Sequence, residues 1–276
     1  MERKKLTIEA IKDKKKSGEK ITMLTAYDYS MARIIDDAGI DIILVGDSLG
    51  MVVLGYDSTL PVTMADMIRH TQAVRRGTKN ALLIGDMPYK SYDTQKLAVE
   101  NAARFMKDAQ CDAVKLEGGT ESLEAAEAIV GSGIPLMGHL GLTPQSIEKL
   151  GGYKVQGKTA EAAKVIIEDA KKLESAGCFS IVLECIPNAI AGIITKELKI
   201  PTIGIGAGVD CDGQVLVTND MVGLFDRFVP KFVKQYVKLA PQISEGVKRY
   251  KKEVESGKFP TKEHTFEIKT EELKKV

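Results

Sequence analysis

Short apolar runs alternate with amphipathic segments along almost the whole chain. Eight runs have the length of buried strands, at residues 21–26, 40–47, 81–86, 113–117, 135–140, 180–185, 201–206 and 214–218. Helical patterns fill most of the gaps, at residues 30–38, 64–76, 94–109, 122–131, 160–176 and 189–198. Apolar strands separated by helices indicate parallel pairing with both faces of the sheet covered. Eight such units predict a (β/α)8 TIM barrel rather than an open doubly wound sheet.

The domain organisation follows from the absence of any Pro/Ser-rich linker in the sequence. We therefore expect residues 1–276 to form a single barrel domain with a short N-terminal helix. Residues 236–255 have a further helical pattern. The tail from Gly257 onward is polar, and we expect it to wrap over the surface.

Composition and charge are those of a soluble globular protein, with 44% hydrophobic and 28% charged residues. Lys and Arg number 39 against 38 acids, which gives no electrostatic reason to expect nucleic acid or an anionic membrane as a partner. The N-terminus has no apolar signal region, and no later stretch is long enough to span a bilayer. The four cysteines show no CxxC or zinc spacing, so we interpret them as reduced thiols of a cytoplasmic protein. They are Cys111, Cys178, Cys185 and Cys211.

Polar residues stand where most of the predicted strands end. In a TIM barrel the chemistry lies at the carboxyl ends of the strands. Strand two ends in Asp47 and Ser48, strand three in Asp86, strand four carries Lys115 and Glu117, strand five His139, and strand six Glu184. Because Lys115 and Glu117 are two residues apart, their side chains point the same way in a strand.

Three of these acids, Asp47, Asp86 and Glu117, come from neighbouring strands. Carboxylates that converge in one mouth repel each other and raise each other's pKa unless a cation lies among them. A hard divalent ion with oxygen ligands, most simply Mg²⁺, satisfies this arrangement. In the alternative interpretation each acid caps the following helix or pairs with a surface lysine.

Other polar features carry less chemical signal. His70 lies in a helical pattern, and we interpret it as a surface or packing residue. The glycines of PTIGIGAG, residues 201–208, fit either a phosphate cradle after strand seven or close packing of strand and helix. The charge run Lys14 to Lys16 is interpreted as a solvated surface segment.

Several long strings resemble the ketopantoate hydroxymethyltransferase family, the first committed enzymes of pantothenate synthesis. The strings are LTAYDYSMARIIDDAGID, VGDSLGMVVLGYDSTLPVTMADM, DMPYKSY, VKLEGG, MGHLGLTPQS and LECIP. The resemblance runs from about Leu6 to Phe259, with no departure at the positions named above.

The resemblance implies a barrel of the phosphoenolpyruvate/pyruvate-domain type, Mg²⁺ as cofactor and 5,10-methylenetetrahydrofolate as co-substrate. By this resemblance Asp47 and Asp86 are metal ligands that also contact substrate, and Glu117 belongs to the metal's shell. It also implies that Ser48 and Lys115 contact the 2-oxoacid, that Glu184 is the catalytic base, and that His139 lies in the substrate site. Members of the family assemble as homodecamers built as a pentamer of dimers.

Two other functions remain compatible with the residues alone. One is an aldolase in which Lys115 forms a Schiff base with a ketone, although the acids around this lysine favour its protonated form. The other is a non-catalytic barrel whose acids are structural and whose mouth only binds a ligand. Borohydride trapping detects the Schiff base, and inhibition by EDTA detects a required metal.

Overall fold

The main architectural feature is a closed barrel of eight parallel strands, seen in a computed structural model that describes residues 3–225 and 227–276. The strands are β1 (Ile21–Thr25), β2 (Ile42–Val45), β3 (Leu82–Asp86), β4 (Ala113–Lys115), β5 (Leu136–Gly141), β6 (Ser180–Glu184), β7 (Thr202–Ile205) and β8 (Gly213–Leu216). They follow chain order around the barrel, and β1 pairs with β8 to close it. The predicted (β/α)8 barrel is therefore confirmed; β5 is shifted by one residue from its apolar run, and the other strands are shorter than theirs.

At least one helix lies between each two successive strands from β1 to β7, whereas β7 is followed directly by β8 in the order of elements. The described residues form α1 (Ile8–Ser17), α2 (Tyr29–Asp37), α3 (Leu49–Val52), α4 (Met64–Gly77), α5 (Gln95–Asp108), α6 (Leu123–Gly131), α7 (Ala160–Ser175), α8 (Asn188–Glu197), α9 (Thr218–Met221), α10 (Leu239–Glu255) and α11 (Thr270–Leu273). Threonine or aspartate side chains cap several helix N-termini, and Thr63 forms a capping box with Asp66 at α4. The longer helices match the sequence patterns. The short α3, α9 and α11 were not predicted, because a single turn has too few residues to show a period.

Apolar residues form two separate cores. One lies inside the barrel and includes Ile21, Ile42 and Ile84. The other lies between the strands and the surrounding helices and includes Leu83, Phe105 and Leu183. Successive side chains of a strand point to opposite faces, so each strand contributes to both cores and is apolar throughout. The protein has no helix within its described residues that is long and apolar enough to cross a membrane.

The N-terminal segment closes the amino end of the barrel, which corrects one sequence interpretation. Ile11 of α1 is fully buried in the interior core. Lys14 Nζ lies 3.0 Å from Asp41 Oδ1, and Lys15 Nζ lies 2.7 Å from Asp212 Oδ2. Both aspartates precede strands. The prediction of a solvated lysine run is wrong for Lys14 and Lys15 and holds for Lys16, because only a side chain on the outer side of α1 remains in solvent.

The chain divides into two compact units. The first comprises residues 1–218 and 230–233, and the second comprises residues 219–229 and 234–276. In the second unit, α10 exposes an apolar stripe, and the rings of Tyr250 and Phe259 pack edge to face with centroids 5.7 Å apart. The stripe consists of Ile243, Val247, Tyr250 and Val254. That the whole chain behaves as one domain, with a tail wrapped over it, stays a prediction.

Asp36, the penultimate residue of α2, is a buried acid that holds the connection entering β3. Its carboxylate accepts hydrogen bonds from the backbone N–H groups of Lys79, Asn80 and Ala81, at distances from 2.7 to 3.1 Å. Burial raises the pKa of this carboxyl, but the backbone donors outweigh burial and the pKa is lowered. The ionised form is therefore favoured in the folded protein.

We expect Asp36→Ala to lower the free energy of unfolding by about 3 kcal/mol at pH 7, because it leaves buried donors unpaired. Its exposed neighbour Asp37, which pairs with Arg33 at 3.7 Å, provides the control, and Asp37→Ala should change stability by less than about 0.5 kcal/mol. Because the pKa of Asp36 is lowered on folding, its ionic contribution is complete above the unfolded pKa of about 4 and is lost as the pH falls further. Urea unfolding of both variants across pH measures this, and equal stabilities at pH 7 would contradict it.

Candidate active site

The barrel brings the predicted side chains together at the carboxyl ends of β2 to β6. Asp86, Lys115 and Glu184 are the last residues of β3, β4 and β6. Asp47 follows β2 by two residues, and His139 lies within β5. Asp47, Asp86, Lys115, Glu117 and His139 are each no more than 4% exposed, whereas Ser48 and Glu184 are half-buried. So many buried polar groups need compensating contacts.

Lys115 is the central cation of this cluster. Its Nζ lies 2.5 Å from Asp86 Oδ1 and 3.7 Å from Glu117 Oε1. Burial lowers the pKa of Lys115, but Asp86, Glu117 and Asp47 together outweigh burial and raise the pKa above its usual range. The amine is therefore held as an ammonium ion and not as a nucleophile.

His139 joins the acids of two strands. Its Nδ1 lies 3.2 Å from Glu117 Oε1 and its Nε2 lies 3.2 Å from Glu184 Oε2, although neither contact has hydrogen-bond geometry. Burial and Lys115 lower the pKa of this imidazole, but Glu117 and Glu184 outweigh them and raise it to about 9. His139 is therefore an imidazolium at neutral pH, placed between two carboxylates. In turn, the positive charges of His139 and Lys115 lower the pKa of Glu117 despite its burial.

Asp47 and Asp86 are the two acids of the cluster whose ionised form is disfavoured. The backbone N–H of Asp47 donates to Asp86 Oδ2 at 3.3 Å. Burial raises the pKa of both carboxyls, and Asp86 and Glu117 raise that of Asp47 further. A cation between these oxygens would relieve the repulsion.

A divalent cation such as Mg²⁺ requires several oxygen ligands around one point. Within the described residues, no group of three or more His, Cys, Asp or Glu side chains is arranged to hold a metal ion. Glu117 instead contacts Lys115 and His139, and its Oε2 accepts the backbone N–H of Gln145 at 3.0 Å. Mg²⁺ commonly uses only one or two protein carboxylates and completes its shell with water and substrate. Asp47 and Asp86 fit that pattern, while the assignment of all three acids to a metal stays a prediction.

Three polar partners of the site were missed from the sequence. Gln145 donates from Nε2 to Asp47 Oδ2 at 2.9 Å, and the Tyr92 hydroxyl donates to Gln145 Oε1 at 2.6 Å. The Tyr27 hydroxyl lies 2.8 Å from Ser48 Oγ. None of the three belongs to a strand, so a search of strand ends passed over them.

The weaker sequence features have structural explanations. His70 Nδ1 lies 2.7 Å from the carbonyl oxygen of Tyr27, which agrees with its interpretation as a packing residue. A Cβ at Gly206 would come within 2.8 Å of Phe232, and one at Gly208 within 2.5 Å of Asn188. The glycines after β7 therefore support the packing alternative. All four cysteines are free, as expected.

The backbone around Glu184 is tightly determined. Its carbonyl oxygen accepts the backbone N–H of Leu142 at 2.8 Å, and the next residue, Cys185, has a positive φ of 47°. Gly141 lies opposite Glu184 in the β5–β6 register and has a φ of 96°. A Cβ on Gly141 would lie 2.2 Å from the Glu184 carbonyl oxygen, so only glycine fits there.

Comparison with known proteins identifies the family. The family model described as ketopantoate hydroxymethyltransferase matches residues 5–262. The chain belongs to the ketopantoate hydroxymethyltransferase family. A 3-methyl-2-oxobutanoate hydroxymethyltransferase of Syntrophomonas wolfei is 58% identical over 273 residues, covering 99% of both chains. One of Desulfotalea psychrophila is 60% identical over 253 residues, covering 91% of both.

Solved structures place this ketopantoate hydroxymethyltransferase family member in a wider fold group. A phosphonopyruvate hydrolase complexed with oxalate and Mg²⁺ matches with a TM-score of 0.61 at 12% identity, covering 95% of this chain and 93% of the other. A 2,3-dimethylmalate lyase of the PEP mutase/isocitrate lyase superfamily matches with a TM-score of 0.59 at 12% identity, covering 95% and 92%. At this identity the likeness concerns the fold alone, and it agrees with the (β/α)8 barrel of this structure.

We expect Gly141→Ala to lower the free energy of unfolding by about 2 kcal/mol or more, since the methyl group collides with Glu184 and strains a positive φ. Gly131, the last residue of α6, has open space around its Cβ position. Gly131→Ala is therefore the matched control and should be neutral or slightly stabilising. Urea unfolding of the two variants measures the difference, and similar midpoints would show that the β5–β6 end tolerates a side chain.

Proposed function

We propose that this protein transfers a hydroxymethyl group from 5,10-methylenetetrahydrofolate to 3-methyl-2-oxobutanoate, giving 2-dehydropantoate in pantothenate and coenzyme A biosynthesis. The observation that carries the proposal is the buried cluster of Asp47, Asp86, Lys115 and Glu117 with Glu184 at its edge, in a chain 58% identical to a relative named for this activity. The cluster combines groups that can bind a 2-oxoacid with one that can remove its proton.

Asp47 and Asp86 are the proposed protein ligands of Mg²⁺, with Glu117 in the surrounding shell. Their burial, and the raised pKa of both carboxyls beside other acids, support a divalent cation at this position. When bound, the ion would polarise the ketone of the 2-oxoacid and acidify its C3–H bond. Ser48 and Lys115 are proposed to contact the 2-oxoacid.

Glu184 is the proposed general base that removes the C3 proton. Its carboxylate is the most accessible of the acids in the cluster, with 15% of the side chain exposed. Lys115, held as an ammonium ion, would stabilise negative charge on the substrate's ketone oxygen as the proton leaves. His139 lies 3.2 Å from Glu184 Oε2, so we propose that it orients the base in the substrate site.

The carbon–carbon bond forms after proton removal. C3 of the 2-oxoacid would attack the one-carbon unit of the folate, creating the quaternary carbon of the product. For the atoms to balance, the one-carbon unit would first take up water and leave both folate nitrogens as formaldehyde, releasing tetrahydrofolate. When C3 attacks the formaldehyde carbon, the carbonyl oxygen would take up a proton and become the new hydroxyl group. The protein's contribution to this step is to keep the two substrates in contact.

The two alternative functions have less support. Imine formation requires a neutral amine, whereas Lys115 is ion-paired at 2.5 Å and its pKa is raised. The second alternative, a non-catalytic barrel, gives no reason for several acids to be buried around one lysine at the strand ends. The metal-assisted transfer is therefore the better supported proposal.

We further propose that the protein works in the cytoplasm as a homo-oligomer, by family resemblance a homodecamer built as a pentamer of dimers. The exposed stripe of Ile243, Val247, Tyr250 and Val254 on α10 is consistent with association, because contiguous apolar surface commonly marks an interface. The substrates are small molecules, and the balanced charge gives no sign of a nucleic-acid or membrane partner.

Asp47→Asn and Asp86→Asn should each lower Mg²⁺-dependent ketopantoate formation by about 10³-fold or more while the protein stays folded. Each change keeps the shape of the side chain but weakens a hard ligand, and the metal contributes several kcal/mol of charge stabilisation. The measurement is initial rate against Mg²⁺ concentration, with circular dichroism to verify folding. Asp13→Asn, on the exposed face of α1, serves as control. Near-normal turnover of either site variant at low Mg²⁺ would show the ligand assignment to be wrong.

Glu184→Gln should lower both deuterium exchange at C3 of 3-methyl-2-oxobutanoate and ketopantoate synthesis by about 10² to 10⁴-fold. Glutamine keeps the shape of the side chain but cannot accept the proton. NMR of the substrate in D2O with Mg²⁺ follows exchange directly. Binding of the 2-oxoacid should persist, and surface Glu197→Gln should leave both rates unchanged. Exchange at the wild-type rate in Glu184→Gln would assign the base to another group, with His139 the first to test.

A further inference from the structure

Gln145 was not named from the sequence, but it contacts two acids of the cluster. It lies in a 3₁₀ turn, Pro144–Ser146, in the connection after β5, and it is 5% exposed. Its backbone N–H donates to Glu117 Oε2 at 3.0 Å, and its side-chain Nε2 donates to Asp47 Oδ2 at 2.9 Å. One residue of a loop thus contacts acids from two different strands.

The orientation of the Gln145 amide is determined by its neighbours. Besides Asp47, Nε2 donates to the carbonyl oxygen of Met87 at 3.0 Å. The carbonyl oxygen of Met87 only accepts hydrogen bonds, so the amide end that faces it must be the NH₂ group. The flipped amide would place its oxygen against the Met87 carbonyl oxygen.

Tyr92 completes this arrangement from the opposite side. Its hydroxyl donates to Gln145 Oε1 at 2.6 Å. An amide oxygen only accepts hydrogen bonds, so the hydroxyl is the donor in this contact. Both amide hydrogens and the amide oxygen of Gln145 therefore have partners. A buried amide with all these bonds made has one stable orientation.

The hydrogen bond from Gln145 affects how the Asp47 carboxylate is oriented toward a cation. A neutral donor on Oδ2 fixes the carboxylate plane without cancelling its charge, whereas a lysine in that place would compete with a metal. Carboxylates that bind metals are commonly held by such outer hydrogen bonds, and loss of one costs about 10 to 100-fold in metal affinity. The contact of Gln145 with Glu117 uses the backbone, so side-chain substitutions at Gln145 leave it in place.

We propose that Gln145 is a positioning residue that orients the Asp47 carboxylate for a divalent cation, and that Tyr92 acts through Gln145 by fixing its amide. The inference rests on the proposed function, in which Asp47 is a metal ligand. It adds two residues, neither at a strand end, to the machinery of the site.

The test measures Mn²⁺ affinity from the electron paramagnetic resonance signal of the free ion, in the presence of 3-methyl-2-oxobutanoate. We expect Gln145→Leu to raise the Kd for Mn²⁺ about 10 to 100-fold. Tyr92→Phe should raise it in the same direction by a smaller factor, because the amide keeps its other partners. The double variant should bind no more weakly than Gln145→Leu alone, since Tyr92 has no route to Asp47 once the amide is gone.

Controls separate this inference from a structural effect. Gln72 donates from Nε2 to the carbonyl oxygen of Asp108 on the protein surface, so Gln72→Leu removes the same kind of group and should leave the Kd unchanged. Thermal unfolding verifies that each variant is folded. If Gln145→Leu does not fold, Gln145→Met, which is closest in length, carries the same expectation.

Two outcomes distinguish the inference from the function on which it rests. Wild-type Mn²⁺ affinity in Asp47→Asn would remove Asp47 from the metal site and overturn both. Loss of binding in Asp47→Asn, with wild-type Kd in folded Gln145→Leu, would overturn the positioning role alone. A double variant whose Kd is the product of the two single effects would show that Tyr92 acts independently of Gln145.

Discussion

The buried ion pair between Lys115 and Asp86 is the interaction on which the site depends. Three deeply buried carboxylates lie at the strand ends, and two cations, Lys115 and the protonated His139, face them. Removing one partner of a buried pair costs far more than a surface pair gains, because the remaining charge is left without water. The cost of separating these charges therefore holds the side chains of the cluster in place. Asp47, by contrast, receives a hydrogen bond from the neutral amide of Gln145.

The two ends of the barrel use the same residue types for opposite purposes. At the amino end, Lys14 and Lys15 of α1 pair with Asp41 and Asp212, and Ile11 fills the interior. There each aspartate faces at least one lysine, and the pairs close the barrel. At the carboxyl end, acids outnumber the cations that face them, and the imbalance creates a demand for a cation or substrate. Charge balance, more than residue type, separates the structural end from the candidate active site.

The loop after β5 shows how a barrel completes a site with residues outside its strands. Strand ends supply groups at fixed spacing, but their side chains still need to be oriented. Gln145 and Tyr92 come from connections after β5 and β3, and they meet over Asp47, which follows β2. Gly141 has a comparable role for the backbone, since its missing Cβ lets Glu184 lie close in register. The site is therefore held by contacts between connections as well as by the sheet.

The sequence by itself determined the eight strands, the main helices and the strand-end positions of Asp47, Asp86, Lys115 and Glu184. These depend on short-range periodicity and on the rule that parallel strands end at one rim, and both can be deduced from residue order. Tertiary structure alone decided that Lys14 and Lys15 are paired rather than solvated, that Glu117 faces His139 and that Gln145 holds Asp47. Those contacts join residues from 22 to 197 positions apart, and no local pattern encodes them. Which donor meets which acid is decided only when the barrel closes and brings distant side chains within hydrogen-bond distance.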